Sequence, residues 1–334
     1  MMQTLDAMGA ALVQWLGVGL VDGTLFALLV WLVNVTLLRR TSARLVVCTW
    51  LLALAGFVVT RPVTLHRLPL SAAGARELAP AAGLFALPWV YLGVVGLLAL
   101  RAFVGQRRLR RHVSRLPRAA ADVQSAVSRC ARSLSLTRVP DVRVTDQASL
   151  PFSLGPLRPT VVLPRFACAP GPQLDAVLLH ELAHLARRDH WLLFFERTVT
   201  TLFFFWPPVH WAARRLADTR ELACDEHALA CSTLPAHAYG QQLLNVVQTA
   251  RGRAASAGAL AIGPRGPRLE RRIDSLLSQR WSQPLHVLEA LALTALLCAS
   301  LVSLRAQHRP PPRPSPAVDT FACDGSAMSQ PPQP

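Results

Sequence analysis

A chain of 334 residues has room for two ordinary domains, but 52% of it is apolar, more than a soluble protein of this size usually carries, so membrane-embedded segments are the first expectation. The formal charge of +16 is not laid out as a nucleic-acid-binding stripe: the arginines crowd beside the apolar runs, and no direct nucleic-acid contact is expected. Seven cysteines without a CxxC pair indicate neither a disulfide framework nor a thiolate zinc site, and the lack of any lysine excludes chemistry built on a lysine amine, SxxK acylation included.

Residues 13–38 are nearly all apolar, and since a helix needs only about 20 such residues to cross hydrocarbon, they predict a first transmembrane span. Arg39, Arg40 and Arg44 follow it. Residues 45–60, with Trp50 and Phe57, predict a shorter second span, and residues 83–104 predict a third that runs into a basic segment at 107–118. A fourth span is expected at 284–304, ahead of a proline-rich tail at 305–334 that reads as disordered and extracytoplasmic. Asp6 stands where a secretory signal carries basic residues, so the first helix is expected to be retained. The positive-inside rule puts the 39–44 loop and the 107–118 block in the cytoplasm and leaves the N-terminus and the 61–82 loop outside, although Arg61, Arg67 and Arg76 in that loop reduce the bias. The expected organisation is a three-span membrane region at 1–106, a cytoplasmic domain at 107–283, the fourth span and the tail.

Within the 107–283 domain, 120–136 reads as a helix and 141–145, with Val142 and Val144 alternating, as a short strand. A turn region at 151–159 precedes Thr160, Val161, Val162 and Leu163, which Pro159 and Pro164 bracket in the manner of an edge strand. That edge is either ordinary or the place where a substrate peptide adds as a further strand. Helical periodicity covers 173–188, and further helices are predicted at 209–230, 237–251 and 267–279. The apolar stretch 191–211 is long enough to span, but crossing there would separate the His180 motif from the Glu221 motif. A buried or membrane-dipping helix, broken at Pro207–Pro208, is expected instead.

His180-Glu181-Leu182-Ala183-His184 is an HExxH motif inside the 173–188 helix. Two histidines four residues apart lie about 40° apart on one helix face, so both imidazoles can reach one metal ion, while Glu181 stands beside them as a general base. Apolar residues at 177, 178, 182 and 185 bury this helix, and burying two histidines with a glutamate is costly unless they are paired or bind metal. A third protein ligand is needed, and Glu221 and Asp225, four apart on a predicted helix, can supply it: one carboxylate on the metal, the other on a ligand histidine. A solvated helix face beside Arg220 fits the same spacing, and Cys224, on another face, is a weaker candidate. His190 has the spacing of a third metzincin histidine, but Arg187 occupies the position of the glycine that would turn the chain. A continuing helix then rotates His190 by a net of about 240° away from His184.

The runs HELAHLARRDH, PFSLGPLRPTVVLP and RRLADTRELACDEHAL, in this order, resemble the BlaR/MecR-type membrane metallopeptidases over about residues 140–280. The resemblance implies one zinc ion on His180, His184 and Glu221, with Glu181 as base, and makes Asp225 the carboxylate that orients a ligand histidine. It also implies a multi-pass protein of a bacterial inner membrane, regulated proteolysis, and a protein substrate that is a cytoplasmic transcriptional repressor. Antibiotic-sensing members continue after the last span into a large penicillin-binding domain. Here a proline-rich stretch of about thirty residues follows, so β-lactam sensing by this polypeptide alone is not expected. The fold class expected is mostly α: four transmembrane helices in contact with lipid, and a zincin-like, gluzincin-type α+β domain between spans three and four. The alternatives are a CAAX- or HtpX-like membrane protease and a non-catalytic transmembrane scaffold.

Overall fold

The computed structural model describes residues 2–36, 38, 41–59, 87–147, 150–155 and 159–256, together with Arg272 and Leu276. The 61–82 loop, the fourth span at 284–304, the 305–334 tail and all of the 267–279 helix but those two residues lie outside this set.

The described residues are mostly helical. In chain order they form α1 (Met2–Thr36), α2 (Ala43–Val58), α3 (Leu87–Arg115), α4 (Ala121–Ser133), β1 (Asp141–Thr145), β2 (Phe152–Leu154), β3 (Thr160–Pro164), α5 (Pro172–Ala186), α6 (Asp189–Leu202), α7 (Pro207–Ala230) and α8 (Ala236–Ser256). Two stretches, Trp15–Thr36 in α1 and Pro88–Arg115 in α3, are long and apolar enough to cross a membrane. Trp89, Val90, Leu92, Leu97, Leu100 and Phe103 of α3 all point away from the protein, an apolar surface that water does not favour. The basic segment expected after the third span is largely the last turns of α3 itself, which runs on to Arg115. α2 has only 16 residues, a rise of about 24 Å against a hydrocarbon core of about 30 Å, so it can serve as the expected second span only where the bilayer thins around it.

α1 and α2 pack closely because Gly19 and Gly23, one turn apart, leave room for Phe57. A Cβ on Gly23 would lie 2.3 Å from a Phe57 ring carbon, and one on Gly19 would lie 2.7 Å from the Phe57 carbonyl oxygen. The apolar face of α2, with Val47, Trp50, Ala53, Leu54 and Phe57, is buried with α1 and with Val199 and Phe203 from the end of α6. Val209, Ala212, Leu216 and Ala223 of α7 complete this core. Trp50 meets Trp211 edge-on at 5.3 Å, and Trp206 Nε1 donates to Thr24 Oγ1 at 2.9 Å. α6 stops at Leu202, and Pro207 opens α7 at its first turn, where a missing N–H costs nothing, so the break in the 191–211 stretch falls before the proline pair.

A second core gathers α4, the sheet, α5, the C-terminal half of α7 and α8 around Val127, Val142, Leu163, Leu178, Leu182 and Tyr239. α7 belongs to both cores: Ala223 faces the first and the adjacent Cys224 the second. Its acidic residues therefore lie where the two cores meet.

The sheet has the order β1-β3-β2. β3 pairs in parallel with β1 from Asp141↔Thr160 to Thr145↔Pro164, and antiparallel with β2 from Phe152↔Val162 to Leu154↔Thr160. This corrects the expected edge strand. β3 is central, Thr160, Val161 and Val162 are paired on both sides, and Val161, Val162 and Leu163 are buried, so these residues cannot receive a substrate strand. The edges are β1 and the three-residue β2, which lies inside the region expected to be only a turn.

Candidate metal centre

α5 begins at Gly171, whose φ of 148° is accessible to glycine and strained for other residues, followed by Pro172 with its preset helical φ. Leu174, Val177, Leu178, Leu182 and Leu185 anchor one face of the helix in the core. That anchoring fixes the opposite turns, where His180 and His184 hold their rings 5.0 Å apart and nearly perpendicular. α7 brings the acidic side. His180 Nε2 is 3.6 Å from Glu221 Oε2, and His184 Nε2 is 3.8 Å from Glu221 Oε1.

Behind the rings, each Nδ1 meets a buried carboxylate. His180 Nδ1 lies 2.9 Å from Asp225 Oδ1, and His184 Nδ1 lies 2.8 Å from Asp189 Oδ2. Asp225 and Asp189 are 0% and 1% exposed, so they have no water to bind instead and act as fixed acceptors. Both imidazoles are thereby held with Nδ1–H donated outward and Nε2 aimed at Glu221.

The donor atoms of His180, His184 and Glu221 lie within 4.8 Å of one another. Separations of 3.6 and 3.8 Å are too long for hydrogen bonds. They approach the spacing of about 3.3 Å expected for tetrahedral ligands about 2.0–2.1 Å from one ion. Nitrogen, nitrogen and carboxylate oxygen, with both rings pre-set in the ligating tautomer, fit a zinc-type ion.

A profile of the BlaR1 peptidase M56 family matches residues 75–276, more than half of the chain. The chain belongs to the BlaR1 peptidase M56 family. Over 154 residues it is 25% identical to the regulatory protein BlaR1 of Bacillus licheniformis, a match that covers 45% of this chain and 26% of that protein. The chain thus spans about a quarter of the length of that BlaR1 relative.

The electrostatics of this M56 site follow from its burial. Burial works to lower the His180 pKa, but the Asp225 carboxylate outweighs it and holds the metal-free imidazole up at about 10. Burial would raise Glu221, yet the facing His180 ring and the charges of His184 and Arg272 keep it well below the usual carboxylate range. Asp189 is likewise lowered, because the hydrogen bond from His184 overcomes its desolvation. Burial, and then the Asp189 charge, push the Cys224 thiol well above its normal value. Cys224 is therefore a neutral thiol donating to Asp189 Oδ2 at 3.0 Å, beside His184 Nδ1 at 3.1 Å. Although His184, Asp189 and Cys224 also cluster closely enough to hold an ion, these contacts are hydrogen bonds that support His184.

Of the motif residues named from the sequence, His180, His184 and Glu221 meet at one place, with Asp225 behind His180, and Glu181 is buried next to His180 on α5. His190 belongs to neither cluster among the described residues, but the reason differs from the expected one. The helix does not continue. α5 ends at Ala186, Arg188 adopts a left-handed conformation with φ 57°, and α6 starts at Asp189. That turn brings Asp189 back to His184, a role the sequence reading missed because neither Gly nor Asn marks the break. It also missed Arg272, whose Nε and Nη2 lie 2.7 and 2.8 Å from the two oxygens of Asp225. One arginine among 35 basic residues, 47 positions after its partner, carries no spacing signal. Tyr239 is a third omission. Its fully buried hydroxyl has no hydrogen-bond partner among the described residues and feels the charges of Asp225, Arg272 and Glu181.

Proposed function

We propose that this chain is a membrane-anchored zinc endopeptidase that hydrolyses peptide bonds of a protein substrate in regulated proteolysis. The observation that carries the reading is the convergence of His180 Nε2, His184 Nε2 and the Glu221 carboxylate, with both Nδ1 atoms held by buried carboxylates. His180, His184 and Glu221 would hold one zinc ion. When bound, that ion supplies a Lewis acid for the scissile carbonyl and lowers the pKa of water.

The protein's own groups do the rest. Glu181, next to His180 on α5 and 7% exposed, accepts the proton of the attacking water and delivers it to the leaving amine. Asp225 and Asp189 keep the two rings from rotating and hold their Nδ1 protons throughout. The low exposure of the site favours peptide over bulk water around the reacting groups.

The architecture we propose is a four-span protein of a bacterial inner membrane, N-terminus outside, with a gluzincin-type α+β domain at 107–283 in the cytoplasm. The exposed apolar face of α3 and the exposed arginines at its C-terminal end support this orientation. A cytoplasmic transcriptional repressor is the substrate class in keeping with the regulatory relative.

The test compares zinc content and proteolysis in wild type and Glu181→Gln, with proteomics of cells expressing each to find the substrate. The amide keeps the shape of the carboxylate but cannot take up the proton, so zinc should stay and cleavage should fall about a thousandfold or more. Near-normal cleavage by metal-loaded Glu181→Gln would refute the reading.

A further inference from the structure

Asp225 can orient His180 only if its own carboxylate is held still, and nothing on α7 does this. Its partner comes from far along the chain. Arg272 grips Asp225 through two parallel hydrogen bonds, Nε to Oδ2 at 2.7 Å and Nη2 to Oδ1 at 2.8 Å. Asp225 Oδ1 also accepts from His180 Nδ1 at 2.9 Å, so one carboxylate oxygen is shared by the guanidinium and the imidazole.

Two further contacts give Arg272 its place. Its Nη2 is 3.5 Å from both ring nitrogens of His180. Its Nη1 is 3.6 Å from Glu221 Oε2. Arg272 thus touches a histidine, the carboxylate behind it and the carboxylate opposite it, and it carries a fixed positive charge where Glu221 and Asp225 gather negative charge. Four residues on, Leu276 is 2% exposed in the same core as Tyr239 and Leu243.

We infer that Arg272 is a positioning residue of the metal centre. It locks the Asp225 carboxylate in the orientation that receives His180 Nδ1–H, and so fixes the tautomer and aim of His180 Nε2. Arginine suits the task because its planar fork matches both carboxylate oxygens, which a lysine ammonium cannot do. The inference rests on the reading of His180, His184 and Glu221 as the ion's ligands.

The experiment titrates the purified full-length protein in detergent with Co²⁺, following the ligand-field spectrum, and measures Zn²⁺ affinity by chelator competition. The proteins are wild type, Arg272→Gln, Arg272→Lys, Asp225→Asn, the double variant Asp225→Asn/Arg272→Gln, and Leu276→Ala as a folding control. Arg272→Gln should weaken metal affinity about 10–100-fold and alter the Co²⁺ spectrum, with Arg272→Lys intermediate. Leu276→Ala should lower the unfolding temperature and leave the spectrum unchanged. Because Arg272 acts through Asp225, the double variant should bind metal no more weakly than Asp225→Asn alone. Additive losses, wild-type affinity and spectrum in Arg272→Gln, or a spectral change in Leu276→Ala equal to that in Arg272→Gln would each overturn the inference. A wild-type protein that binds no metal would overturn the proposed function along with it.

Discussion

His184 Nδ1 lies 2.8 Å from Asp189 Oδ2, and it does so because Arg188, between them, takes a left-handed backbone conformation. A residue without special tolerance for positive φ is held there by the contacts on either side of the turn. The strained residue and the buried pair are two views of one arrangement.

Removing the Asp189 charge should therefore be felt at the metal. Asp189→Asn is expected to weaken zinc binding about 10–100-fold, since the amide no longer selects the Nδ1–H tautomer of His184. Glu221→Ala should lose most of the zinc, and His190→Ala almost none. Metal analysis of the three purified variants checks the set; zinc lost from His190→Ala alone would favour a three-histidine site instead.

The His180–Asp225 pair gives the metal-free protein a pH dependence of known sign. His180 is raised to about 10 from a normal value of about 6.5, so its contribution to stability is complete below about pH 6.5 and is lost as the pH rises through about 10. The same proton must leave when the imidazole ligates an ion. Zinc uptake near pH 7.5 should release protons, and apparent affinity should rise with pH. Calorimetry in buffers of different ionisation enthalpy measures the number released, and a value near zero would contradict the pairing.

The α1–α2 crossing should tolerate no side chain at Gly23. Gly23→Leu drives its Cβ into the Phe57 ring and is expected to cost about 1–3 kcal/mol through overpacking. Gly17→Leu, whose Cβ would meet nothing within 4 Å, should be close to neutral. Thermal unfolding in detergent compares the two, and equal effects would argue against the close contact.

Membrane orientation is open to a direct test. A reporter fused after Arg118 is expected to read cytoplasm, and one fused after Leu304 the outside. The same side for both would rule out the four-span arrangement.

Local pattern was enough for much of this protein. The HExxH spacing fixed His180 and His184 on one face of a helix, because the period of a helix depends on nothing outside it. Alternation in 141–145 and the apolar face of 173–188 pointed to β1 and α5 for the same reason, although α5 ends at Ala186. The i, i+4 spacing of Glu221 and Asp225 restricted the third ligand to one short segment.

What escaped the sequence depends on partners far along the chain. β3 looked like an edge because prolines flank it, and it is central only because the three residues of β2 fold back onto it. Helical periodicity ran straight through Arg187 and Arg188, while the real chain turns there to bring Asp189 behind His184. Arg272 reaches Asp225 across 47 residues with no motif to announce it. The sequence determined which residues could bind a metal, since ligand chemistry and helical spacing are local. Tertiary structure alone decided that Asp189 stands behind His184 and Arg272 behind Asp225, because a buried charge must find its partner in space, wherever along the chain that partner lies.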